Sequence, residues 1–152
     1  MSIENVWMNR SLQIFNKILI YLFNKTNGKK LQQKMLEKNI LIKKSKVLLM
    51  GFTFKENCPD TRNSKVFDII HELQKHQMNV DIYDPNADHE QIKKESGLSP
   101  VKYPTKQKYD GIVLAVKHTE FVNLGASEIK NFCKKKCIIY DLKSFLGKGN
   151  YD

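Results

Sequence analysis

The stretch KVLLMGFTFKENCPDTRN, residues 46–63, decides the fold. Lys46–Gly51 is a short apolar run closed by glycine. A strand buried on both faces reads this way, because neither set of alternate side chains meets water. Phe52–Asn63 is a polar loop of twelve residues, whereas a strand-to-helix loop usually takes about 2–6. Beyond it, Val66, Ile69, Ile70 and Leu73 recur at i, i+3, i+4 and i+7, which predicts an amphipathic helix over Ser64–Lys75.

Outward from this unit the alternation repeats. Asn79–Tyr83 predicts a second strand, stopped by Asp84-Pro85. Asp88–Ser96 predicts a short helix ended by Gly97, and Pro100–Tyr103 a short strand. Gly111–Val116 (GIVLAV) predicts a buried strand, Phe121–Leu124 a helical turn, Ser127–Cys133 a helix and Cys137–Leu142 a last strand. Upstream, Leu12, Phe15, Leu19, Leu22 and Phe23 fall at helical spacing. Asn24–Gly28 reads as a polar break, and Leu31, Met35 and Leu36 lie on one side of a second helix. The expected fold class is α/β: an open parallel Rossmann-like sheet with helices on both faces, preceded by an α-helical N-terminal arm. The expected units are residues 1–44 (arm), 45–146 (domain) and 147–152 (tail).

Composition narrows the function classes. The 152 residues are 41% hydrophobic with 7 Gly and 4 Pro, which excludes collagenous, low-complexity and wholly disordered chains. The net charge is +10, a balance that invites nucleic acid, membrane surface or a phosphorylated ligand as partner. Residues 1–50 hold Arg10 and nine lysines against Glu4 and Glu37, so +8 of that charge is N-terminal and +2 remains for the rest. A basic module binding nucleic acid or anionic membrane through residues 1–45 is therefore the alternative function; with no interleaved aromatics, nucleic acid is not expected as a partner. Leu12–Phe23 is too short to span a bilayer and lacks a small-residue cleavage site. An odd set of cysteines, Cys58, Cys133 and Cys137, with no secretory signal reads as a reducing, cytoplasmic protein. Cys133 and Cys137 flank three lysines, match neither a redox nor a zinc spacing, and no metal is expected.

In an open parallel sheet, ligands bind beyond the carboxyl ends of the strands. The loop Phe52–Asn63 lies there, carries Lys55 and Arg62, and enters the amino end of a helix. Helix N–H groups and two cations suit a phosphate. The competing readings are a solvated Lys55 and an Arg62 paired with Asp60 or Asp68. Only Gly51 stands where a dinucleotide fingerprint needs three glycines, and no Walker sequence is present. Asp84 ends the second strand, as a ribose acceptor or a turn former. His118 follows the third, as a loop hydrogen-bond partner rather than a base, or on the rim; Asp141 and Lys143 close the last, and complete a polar rim or pair with each other. Cys58 has no histidine near in sequence and is not assigned as a nucleophile.

Taken together, KVLLMGFTFKENCPDTRNSKVFDIIHEL, NVDIYDP, YDGIVLAVKHTEF and IIYDLKSFL resemble the C-terminal, UDP-binding domain of the UDP-glucose/GDP-mannose dehydrogenase family, over roughly residues 40–146. The F-x-F-K-E-N-C-P-D-x-R-N wording is most similar to bacterial UDP-N-acetylhexosamine 6-dehydrogenases of capsule and O-antigen synthesis. The resemblance implies an NAD-linked oxidation of a nucleotide sugar to its carboxylate. It implies that Lys55 contacts the UDP-sugar and that Arg62 reaches the NAD side of the cleft. Asp84 and His118 match family wording, with no catalytic role carried over. Asn24–Asn39 resembles the tail of the family's central helix, which builds a dimer interface; residues 1–23 match nothing in it. The family's G-x-G-x-x-G and its G-G-x-C-x-P-K-D-type cysteine segment have no counterpart in these residues, nor does a later substrate-side arginine. A chain of this kind is expected to bind UDP-sugar, to bind NAD no better than weakly, and to be inactive alone. Self-association, or a complementary dehydrogenase chain docking through the N-terminal helices, is the expected assembly.

Overall fold

The structure, a computed structural model, describes residues 25–152. The helix expected over Leu12–Phe23 lies outside the described residues, as do Arg10 and Lys17 of the basic arm. So the assembly and surface-binding expectations that rest on them are not addressed by the fold.

Helix α1 occupies residues 25–37. After it come β1 (Lys46–Met50), α2 (Val66–Lys75), β2 (Asn79–Tyr83), α3 (His89–Ser96), β3 (Tyr109–Leu114), α4 (Thr119–Asn131) and β4 (Cys133–Asp141). The four strands form one parallel sheet in the order β2-β1-β3-β4. The α/β class and the helices on both faces are as the sequence implies. Val47 and Leu49 of β1 join Val113 and Ile138 under α1, α2 and α3. Leu48 and Met50 join Ile112, Leu114 and Ile139 under α4. Both sets are buried, which is why the run reads as unbroken hydrophobicity. Full burial of each such side chain contributes about 1.5–3 kcal/mol.

Chain order and sheet order diverge at one place. From β1 the chain turns to β2 on one side, then crosses back to β3 on the other. The crevice between the carboxyl ends of β1 and β3 is thus the topological switch point, where ligands bind in such sheets. Gly51 makes the turn out of β1 at φ 97°, and a Cβ there would lie 2.6 Å from Val116 Cβ and 2.9 Å from Val116 N.

Several expectations are corrected. The polar break is helical from residue 25. Asn27 is buried and its Oδ1 accepts from Tyr140 Oη at 2.9 Å, while Gly28 lets α1 approach Glu72. Asn27 faces protein rather than solvent, so no break results at it. Leu31 and Met35 of α1 are fully buried in the main core. The tail is likewise attached: the Asp152 N–H donates to Ile139 O and its carboxylate accepts from Ile139 N, each at 2.8 Å. Pro100–Tyr103 is not a strand. Only the Val101 N–H reaches Ile82 O, at 2.8 Å, and Pro100 has no N–H to extend the ladder. The two helical pieces expected after β3 form one element broken at Gly125 (φ 76°, ψ 166°). β4 begins earlier than expected, at Cys133, which pairs with Tyr109; pairing resumes only at Ile138 opposite Gly111. Lys134–Lys136 bulge out, and a Cys133–Cys137 disulfide closes the bulge across a Cα–Cα distance of 5.6 Å. The spacing alone did not show it, because four residues of regular strand hold two cysteines far apart.

Gly51→Ala should lose on the order of 3 kcal/mol in denaturant unfolding, from positive φ and the collision with Val116 backbone. Gly97→Ala, at the αL cap of α3 with open space around it, should lose only about 1 kcal/mol. In a thiol titration of the denatured, unreduced protein, Cys58 alone should react; three reactive thiols would refute the pairing.

Candidate functional site

The switch-point crevice is a cleft of about 600 Å³, within the range that holds small ligands. Its walls come from the loop after β1 (Thr53, Phe54, Lys55, Glu56), the start of α2 (Lys65, Val66, Ile69), the end of β3 (Ala115, Val116) and the end of β4 (Leu142, Lys143). The floor is apolar and the mouth is cationic. Lys55 and Lys143 are exposed, and neither ammonium makes an ion pair among the described residues. Lys65 does not cap α2 with its side chain, Ser64 Oγ accepts from Val66 N at 3.3 Å, and the helix dipole adds positive potential on the same side.

Asp84 lies under the loop rather than on a rim. It is fully buried. Its Oδ2 accepts from Phe52 N at 2.7 Å, Thr53 N at 3.2 Å and His118 Nε2 at 3.0 Å. Its Oδ1 accepts from Asn86 N at 2.9 Å and Ala87 N at 3.1 Å. Burial opposes ionisation, but the His118 hydrogen bond and the Phe52 and Asn86 N–H groups outweigh it. The carboxyl is therefore held below its ordinary range. His118 is also fully buried, and its Nδ1 accepts from Asn57 N at 2.9 Å. Neither residue faces the cleft.

The other expected residues are placed as follows. Arg62 is exposed and pairs with Asp60, Nε to Oδ1 at 3.0 Å and Nη2 to Oδ2 at 3.1 Å, one of its two competing readings. Asp141 does not pair with Lys143. Its carboxylate accepts the N–H groups of Lys143, Phe145 and Leu146 at 2.8–3.0 Å, fixing the turn that leaves Lys143 at the cleft. Thr61 is buried and bonds Gln91 and Glu95 of α3, anchoring the far end of the loop. Sequence reasoning missed Thr53, Asn57 and Lys65. Asn57 leaves one trace in the sequence, since asparagine tolerates the left-handed φ of 54° found there.

A covered parallel sheet with a cationic cleft at its switch point defines a nucleotide-binding α/β domain. The chain belongs to the UDP-glucose/GDP-mannose dehydrogenase family, and its residues 48–148 match that family's UDP-binding domain. It is 47% identical over 118 residues to the UDP-N-acetyl-D-glucosamine 6-dehydrogenase of Pseudomonas aeruginosa, covering 78% of this chain and 28% of the relative. It is 45% identical over 112 residues to the enzyme of that name from Salmonella typhi, covering 74% and 26%. Its fold matches the UDP-D-ManNAc dehydrogenase of Pyrococcus horikoshii with a TM-score of 0.61 at 23% identity, covering 82% of this chain and 28% of the other. The chain thus spans about a quarter of the length of these relatives. The family's enzymes are NAD-dependent UDP-sugar dehydrogenases.

The described residues do not form an NAD cradle. The turn after β1 holds Gly51 alone, and the Phe52 and Thr53 N–H groups that would meet a pyrophosphate are donated to Asp84. No group of three or more metal-ligating side chains occurs among the described residues. None of their helices is long and apolar enough to cross a membrane.

The Asp84 network predicts an acid limb of stability. Its folded pKa lies below the unfolded value of about 3.9, so its contribution is complete above that pH and is lost as the pH falls through the folded pKa. Asp84→Asn should lower stability by about 3 kcal/mol at neutral pH, because an amide NH₂ then faces backbone donors. It should also flatten the acid limb of a melting-temperature profile; an unchanged limb would show that Asp84 does not drive it.

Proposed function

We propose that this chain is the UDP-sugar-binding portion of an NAD-dependent UDP-sugar 6-dehydrogenase of surface polysaccharide synthesis, working in the cytoplasm. The carrying observation is the cleft at the switch point with Lys55 and Lys143 at its mouth and no ion pair to either among the described residues. A pyrophosphate needs cations there, because the backbone donors beside it are already taken by Asp84. Lys55 is the substrate-binding residue, with Lys143 beside it. The apolar floor of Val66, Ile69, Ala115 and Val116 receives the nucleoside. The identity to two UDP-N-acetyl-D-glucosamine 6-dehydrogenases favours a UDP-N-acetylhexosamine.

Arg62 is the cofactor-side residue. Its pair with Asp60 is exposed to water, so a dinucleotide phosphate brought close can take it over. NAD supplies the hydride acceptor when a complete site is assembled; these 152 residues contribute the nucleotide-sugar side. They contain no glycine fingerprint and no cysteine in the family's catalytic wording, so the chain alone does not turn over.

UDP-sugar at a hundred times its dissociation constant should stabilise the chain by about 2.7 kcal/mol in a thermal-shift titration. Lys55→Ala and Lys143→Ala should each weaken binding about tenfold or more without lowering the unliganded melting temperature. No shift at millimolar ligand would sink the binding reading. Nicotinamide reduction by the isolated chain would sink the inactive one.

A further inference from the structure

Lys55 sits on a loop with no secondary structure of its own, so something else must fix where its ammonium stands. The buried contacts beneath the loop converge on one ring. The Thr53 hydroxyl donates to the Lys55 carbonyl at 2.9 Å and lies 3.2 Å from His118 Nε2. Two residues beyond Lys55, the Asn57 N–H donates to His118 Nδ1 at 2.9 Å. The Asn57 side chain then reaches back, and its Oδ1 accepts from Thr119 N at 2.8 Å. The loop is thus clasped on both sides of Lys55 by a side chain with no exposure to solvent.

The clasp also fixes the protonation pattern of the ring. A backbone N–H only donates, so Nδ1 carries a lone pair and the single proton of the neutral ring is on Nε2. Nε2–H points at Asp84 Oδ2, 3.0 Å away, with the Thr53 oxygen alongside. The two nitrogens therefore have separate duties. Nε2 holds the ring to the carboxylate at the end of β2, and Nδ1 holds the loop.

We propose that His118 is a positioning residue for nucleotide-sugar binding, acting through its Nδ1 bond to Asn57 to hold Lys55 at the cleft. This rests on the cleft being the UDP-sugar site. His118 touches no ligand. Its effect is on where the lysine stands, and a misplaced binding group loses much of its contribution even when chemically intact.

Two substitutions separate the nitrogens in the full chain. His118→Asn keeps an acceptor at the Nδ1 position and withdraws from Asp84. His118→Gln reaches Asp84 and has no acceptor at the Nδ1 position. Thermal stability should fall more in His118→Asn, because the buried carboxylate loses a donor. Affinity for UDP-N-acetylglucosamine, measured by calorimetry, should stay within about threefold of the parent in His118→Asn and fall about tenfold or more in His118→Gln. A merely structural histidine would move both readouts together, so affinity that tracks stability across the pair overturns the proposal. Nitrogen NMR of the parent should show an unprotonated Nδ1 and a protonated Nε2; the opposite tautomer overturns it too. If the parent binds no UDP-sugar, the cleft reading falls by itself. Amide exchange over Lys55–Asn57 then decides the clasp: protection kept in His118→Asn and lost in His118→Gln supports it, and equal exchange overturns it.

Discussion

A buried carboxylate with five hydrogen-bond donors organises the functional end of this protein. Asp84 gathers two N–H groups from the loop after β1, two from its own turn and one ring N–H from the segment after β3. Taking a carboxylate out of water costs several kcal/mol, and only complete hydrogen bonding offsets it. That requirement makes the arrangement stiff. None of the three strand ends can move without leaving the charge under-bonded. Glu120 extends the brace to α4: its carboxylate accepts from Asn86 Nδ2 at 3.0 Å, and that bond is the main reason its pKa is lowered.

The same carboxylate shapes what the cleft recognises. In a glycine-rich dinucleotide site, the backbone N–H groups after the first strand meet the ligand pyrophosphate. Here they meet Asp84 instead, so an incoming anion must be held by side chains. A loop of twelve residues is long enough to carry a lysine out over the cleft and return to the sheet. The anchors on His118 and on α3, through Thr61, keep that length from becoming slack. Phe54–Asn57 is the longest exposed run between those anchors, and it carries Lys55.

The opposite end of the sheet is built for cohesion. Tyr109 reaches across β1 to give its hydroxyl to Asp81 on β2 at 2.8 Å, and Lys108 pairs with the same oxygen at 2.7 Å. Burial and the Asp81 bond push the Tyr109 phenol well above its ordinary pKa, so it stays a donor. The β4 edge is covered by the tail through Asp152, whose carboxylate also takes the Lys38 ammonium after α1. Charge at this end is consumed in pairing, whereas at the cleft Lys55 and Lys143 make no ion pair among the described residues.

The sequence by itself determined the four strands of the covered parallel sheet, though with one strand too many at Pro100–Tyr103, and the family. These depend on local apolar runs and helical periodicity, which survive in one dimension, and on a loop motif long enough to be specific. It also pointed to the loop, because ligands gather at the carboxyl ends of such strands, and it named Asp84 and His118. Their roles were decided only by the tertiary structure. Asp84, His118 and Asn57 lie far apart in the chain, and a carboxylate and an imidazole look alike in sequence whether they line a rim or hold up the loop beneath it. Folding β1, β2 and β3 side by side brought them within hydrogen-bond distance and out of water. The polar α1 start and the joined Cys133 and Cys137 were hidden for the same reason: their partners, or the bend that unites them, exist only in three dimensions.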